Sequence, residues 1–185
     1  MKPVRLLRRL TYLAVLIAFV AAPISRAQVQ DSAEINDLLS QAKTHARLAV
    51  NDAETLDSYL RSHVSWQTHA MSLESMKEHV NDLGKIHMEL SNSRDQGSAW
   101  QQDAIDKIEP LLQSMADHLT ATINHLNQNV SRVQMPAYRD YVQANYELAQ
   151  KAAQTIDDYV EYSQVKVKTN RLEMKLEVPA SSESN

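Results

Sequence analysis

Cysteine is absent from all 185 residues. No disulfide can staple the fold, thiol chemistry is excluded, and so is the lipid attachment that uses a cysteine just after an export signal. Glycine occurs only at Gly84 and Gly97, and proline beyond residue 23 only at Pro110, Pro136 and Pro179. A sheet protein of this size needs many more turn residues, so their scarcity predicts long helices joined by few connections. The chain also lacks G-x-S-x-G, a phosphate-binding glycine loop, H-E-x-x-H and G-x-G-x-x-G, so no familiar catalytic or nucleotide motif is present. No Glu-x-x-His occurs and the helical seams carry no inward glutamates, which excludes a di-iron carboxylate site. C-x-x-C-H, the covalent haem motif, cannot exist without cysteine.

Long apolar runs are equally scarce, with one exception at the start. Lys2, Arg5, Arg8 and Arg9 precede "LTYLAVLIAFVAA" (10–22), Pro23 ends the run, and "SRA" (25–27) offers small residues where a signal peptidase reads. The run is short for a bilayer span, so residues 1–27 read as a cleavable export signal with cleavage after Ala27, in preference to an uncleaved anchor. Arg8-Arg9 admits the twin-arginine route, although Thr11 sits where that signal favours an apolar residue. Five of the nineteen Lys+Arg lie in this segment and no Asp or Glu does, so the rest of the chain sets fourteen basic against twenty-three acidic residues. An acidic chain without a basic patch is a poor partner for nucleic acid or anionic lipid. The expected destination is the periplasm or the cell exterior, with no transmembrane span after cleavage.

What remains is strongly periodic. Ile35, Leu39, Ala42, Ala46, Ala49, Ala53, Leu56, Leu60 and His63 recur at alternating spacings of four and three. His69, Leu73, Met76, Val80, Leu83, His87 and Leu90 do the same, as do Ile105, Ile108, Leu112, Met115, Leu119, Thr122 and Leu126. A looser fourth seam runs through Val142, Asn145, Ala149, Ala152, Ile156, Val160 and Ser163. Four such seams predict an all-α protein, an antiparallel up-down-up-down four-helix bundle over residues 28–178. "VSWQ" (64–67), "SRDQG" (93–97) and "NVSRVQMP" (129–136) are the expected connections. Asp31 with Glu34, and Ser98 with Gln101, have the spacing of capping boxes. Pro110 should kink the third helix or reset its first turn. Residues 165–178 admit a period-two reading but have no second strand to pair with, so the fourth helix is expected to continue through them. The polar tail at 179–185 is expected to be disordered.

"SWQTHA", "MKEHVNDLG", "WQQDAIDKIEPLL" and "TATINHLN" resemble a family of exported bacterial helical proteins of unknown function. The resemblance covers most of residues 32–165. It implies export and a helical fold and carries no activity.

Several side chains are candidates for a site. "MKEHV" (76–80) and "MADHL" (115–119) each place a methionine three residues before a histidine. One helical turn brings thioether and imidazole to one face, a set that suits Cu(I) or Ag(I), so Met76, His79, Met115 and His118 are a candidate metal site. Two seam methionines flanked by half-buried histidines are also what an ordinary core supplies, and that simpler reading is preferred. His63, His69 and His125 should lie near one end of the bundle, a second candidate metal set. His45 and His87 should lie level with each other near Tyr162, the arrangement of axial haem ligands. No cofactor is the preferred expectation. Small residues on the first helix (Ala42, Ala46, Ala49, Ala53) and fourth (Ala149, Ala152, Ala153) imply close helix approach or, as the alternative, room for a small ligand. Tyr138, Tyr141, Tyr146, Tyr159 and Tyr162 crowd the fourth helix and cannot all face inward, so the outward members are candidates for a protein-binding face. The preferred reading is an exported, non-enzymatic bundle acting by protein binding or assembly; metal binding and small-ligand binding are the alternatives, and the oligomeric state is open.

Overall fold

In the computed structural model residues 30–62 and 64–176 are described. The expected signal (1–27), His63 and the expected tail (179–185) lie outside the described residues. Four long helices account for most of the remainder: α1 (Ala33–Tyr59), α2 (Trp66–Ser93), α3 (Ala99–Gln128) and α4 (Pro136–Leu176), with a single 3₁₀ turn at Arg94–Gln96. No strand occurs among the described residues. The ambiguous stretch from residue 165 onward is helical as far as Leu176. No described helix is long and apolar enough to cross a membrane.

The helix starts follow from local chemistry. The Ser32 hydroxyl, not Asp31, caps α1, accepting from the Ile35 amide at 3.4 Å. Ser65 caps α2 in the same way through the Thr68 amide, so Trp66 opens that helix instead of belonging to the connection. The expected Ser98/Gln101 capping box opens α3, with Gln101 Oε1 accepting from the Ser98 amide at 3.0 Å. Pro136 opens α4, where its missing N–H costs nothing. Pro110 sits within a continuous α3; its ring is on the exposed side, where water can satisfy the carbonyl it leaves unbonded.

The heptad seams become the core. Among the described residues each seam position is buried except His87, which is half-buried. His87 stands beside the seam, and Ile86 is buried at that level. α1 packs along α2 and α4, and α3 packs along the same two helices. Ala42, Ala46, Ala49 and Ala53 are at most 2% exposed, as are Ala149 and Ala152. The small layers are therefore closed by helix approach, and the groove beside them is shallow and lined by polar shoulders such as Arg47, Gln150, Lys151 and Asp157.

One end of the bundle is tied by a polar knot. Gln101, fully buried, accepts from the Ser32 amide at 2.9 Å and donates to the Ser32 carbonyl at 2.8 Å and to Asn36 Oδ1 at 3.0 Å. Asp31 Oδ1 accepts from the Trp100 indole at 2.8 Å and from Lys166 Nζ at 3.0 Å. Burial alone would raise the Asp31 carboxyl, but hydrogen bonds from Ser98, Lys166 and Trp100 hold it below the usual carboxylate range.

Candidate functional site

The two Met–His pairs are split between core and shoulder. Met76 and Met115 are fully buried. Their histidines turn to different neighbours: His79 faces α1, with Nε2 3.7 Å from Asp52 Oδ2 and its ring 5.7 Å from that of His45. His118 is exposed beside a shallow groove lined by Ala137, Asp140, Tyr141 and Ala144 of α4. The structure thus separates the imidazoles of the expected soft-metal quartet. His87 Nε2 lies 3.3 Å from the Ile105 carbonyl of α3, whereas the His45 ring lies beside His79, eight residues earlier on α2, so the two do not form an axial pair. Tyr162 packs instead on Trp100, with ring centroids 5.1 Å apart.

A different histidine group forms between α1 and α2. His45, His79 and Asp82 each present one donor atom, and these three atoms all lie within 4.8 Å of one another. The helical positions explain the convergence. His79 and Asp82 are three apart on one face of α2, and His45 comes from the facing turn of α1. His45 Nδ1 is 3.6 Å from Asp82 Oδ2. The Nδ1 atoms of both histidines are buried without a hydrogen-bond partner. The other oxygen of Asp82 accepts from Lys85 Nζ at 2.8 Å, and this bond holds the Asp82 carboxyl below its ordinary value. Asp52 Oδ2, behind His79, accepts from Ser75 Oγ at 2.9 Å.

The expected end cluster assembles in part. His69 and His125 both reach Tyr138, with ring centroids at 5.3 and 6.2 Å, but the tyrosine ring lies against each of them. Tyr138 Oη meets His69 Nδ1 at 3.2 Å, while His69 Nε2 is buried without a partner. Burial lowers the His69 imidazole from its ordinary value and raises the Tyr138 phenol. The third member, His63, lies outside the described residues.

The tyrosines of α4 do not share a face. Tyr138 is 1% exposed and belongs to the core. Tyr141 packs on His125, Tyr146 donates toward Glu54 of α1 at 3.4 Å, and Tyr159 donates to Asp103 of α3 at 2.6 Å. Their number is absorbed by contacts to three different helices. Of the five, only Tyr162 is exposed, at 50%.

No protein-family model matches the chain, and no curated protein or solved structure is similar to it. Beyond Tyr162 the surface changes character. Ser163 is the last buried residue of α4, and none of the thirteen residues that follow it to Leu176 is buried. The seam spacing nevertheless continues through them, from Val160 and Ser163 to Val167, Asn170 and Met174. Val167 is 58% exposed and Met174 76%. Lys168, Arg171 and Lys175 flank this stripe, against the single Glu173.

Proposed function

We propose that the chain is exported and acts without catalysis, by binding another protein. Its bundle runs up-down-up-down, and its docking element is the last three turns of α4. The observation that carries this reading is the continuation of the α4 seam past its last buried residue. Between Val142 and Ser163 the seam packs against α1 and α3; from Val167 to Met174 the same spacing is presented to solvent. A seam of this period is completed by another helix, whose side chains fit between its ridges. The flanking charge selects among partners. Two copies of this segment would set Lys168, Arg171 and Lys175 against their equivalents, and like charges across an interface disfavour pairing. An acidic amphipathic helix on a different protein fits both the stripe and its charge. The antiparallel course is supported by contacts between α1 and α4, which join Asp31 to Lys166, Arg47 to Asp157 and Glu54 to Tyr146. Export is supported by the basic, apolar and small-residue order of residues 1–27.

A photo-crosslinking residue placed at position 170 and activated in the native host tests the reading. The expected product joins the chain to a second protein through a helical, acidic segment. The yield should fall when Val167 and Met174 are both replaced by serine, and when salt is raised. Crosslinks only to another copy of this chain, or a yield indifferent to the double replacement, would overturn it.

A further inference from the structure

We propose that His45, His79 and Asp82 form a binding site for one borderline divalent cation of the zinc type, with Asp52 supporting His79 from behind. The site does not depend on the docking role of α4, since it lies between α1 and α2. Two imidazoles and one carboxylate are the donor set that zinc and its neighbours accept. No sulfur takes part, because Met76, one turn before His79, is fully buried in the core. The choice of cation therefore moves away from the Cu(I) or Ag(I) that a Met–His pair would favour.

Each donor atom has a reason to be available. Asp82 gives one oxygen to Lys85 and turns the other toward His45 Nδ1 at 3.6 Å. His79 turns Nε2 toward Asp52, which leaves Nδ1 as the nitrogen for an ion. A carboxylate on the far nitrogen is the usual support of a metal-bound imidazole, because it fixes the tautomer and raises ligand basicity; Asp52, at 3.7 Å, stands just beyond hydrogen-bond reach and would take that role by a small movement. A proton shared between His45 and Asp82 would satisfy that pair and leave His79 Nδ1 unpartnered; a cation satisfies both nitrogens and the carboxylate together. Asp82 and Asp52 bring two negative charges toward a divalent ion, the first of them shared with Lys85.

The geometry is close to what an ion requires. Zinc bonds of about 2.0–2.1 Å in a tetrahedron set neighbouring donors roughly 3.3 Å apart. The His45–Asp82 separation is already near that value, and the widest separation in the group, 4.8 Å at most, closes by modest side-chain rotation. The Asp82 side chain is 37% exposed, so water can reach the ion from that side and fill the fourth position.

Titration calorimetry of the chelator-treated full chain with zinc chloride tests the site. One ion per chain is expected, with a melting temperature that rises with free zinc by mass action. His45→Gln, His79→Gln and Asp82→Asn should each weaken binding at least tenfold, and Asp52→Asn by about 10- to 100-fold, the usual effect of removing such a support. His118→Gln and His125→Gln should bind as the parent does. In the unmutated chain Co²⁺ should give the intense visible bands of a four-coordinate site, a readout that needs no variant to fold. Zinc uptake undiminished in both His45→Gln and His79→Gln, no melting shift in the parent, or only the pale spectrum of hydrated Co²⁺ would overturn the proposal.

Discussion

Gln101 shows how much one buried side chain can carry. Its amide group bonds the Ser98 and Ser32 amides, the Ser32 carbonyl and Asn36 Oδ1, joining the first turns of α1 and α3. Gln101→Ala takes the partner from the Ser32 amide and from Asn36 Oδ1 in a part-buried place, while the Ser32 carbonyl keeps the Asn36 amide. An orphaned polar group costs about 1–3 kcal/mol, so a loss of roughly 2–4 kcal/mol, cavity included, is expected in urea unfolding. Gln101→Glu keeps the acceptors but sets carboxylate oxygens against the Ser32 carbonyl and Asn36 Oδ1, and should destabilise at neutral pH as well. Ser98-x-x-Gln101 is legible as a capping box from spacing alone. The reach of Gln101 to Ser32, 69 residues away, is not, because spacing describes a helix end and not what stands opposite it.

At the scale of the helix the two glycines act in opposite directions. Gly84 lies on the exposed side of α2, and a Cβ there would meet nothing within 4 Å. Gly84→Ala should stabilise by about 0.5–1 kcal/mol, the helix-propensity difference. At Gly97 an added Cβ would come 2.8 Å from Ile35 Cδ1 and 3.2 Å from the Arg94 carbonyl oxygen. Gly97→Ala should therefore destabilise, by roughly 1–3 kcal/mol if Ile35 is forced to shift, and the two melting curves should move apart around the parent. The seams from Ile35 to Ser163 are readable as the buried faces, with His87 the exception, because burial on a helix follows its period. The relative height of α1 and α2 is not. A connection centred near Trp66 would bring His45 level with His87, whereas Ser65 caps α2 and the chain reverses nearer Ser62. That shift moves α2 by about two turns against α1 and brings His45 to His79 and Asp82. The His79-x-x-Asp82 spacing was visible throughout, but its partner depends on cap chemistry that two competing serine and tryptophan positions leave open.

For the molecule as a whole, the hand of the bundle is invisible to periodicity: a shoulder residue adjoins one of two neighbouring helices, and the pattern does not say which. His79 turning to α1 and His118 toward α4 are its consequences. The same assembly encloses His69, which α2 carries between Tyr59 of α1 and Tyr138 of α4. Among the described residues no acidic group is bonded to it; its Nδ1 meets a phenol and its Nε2 has no hydrogen-bond partner. Burial holds its imidazole below the ordinary value of 6.5, so the folded chain binds this proton less readily than the unfolded chain. Stability should accordingly be level above that value and decline as pH falls through it toward the lowered one, where the loss is complete. Asp157 acts in a lower window. Burial would raise its carboxyl, but hydrogen bonds from Arg47 and Lys43 bring it below 3.8, so its contribution is lost as pH falls below 3.8. Urea midpoints measured from pH 8 to pH 3 should show the histidine decline first and the carboxylate decline after it. His69→Gln should flatten the upper decline and leave the lower one, whereas Asp157→Asn should diminish only the lower. An upper decline of unchanged slope in His69→Gln would assign it to another group and remove His69 as the acid-sensitive point of the core.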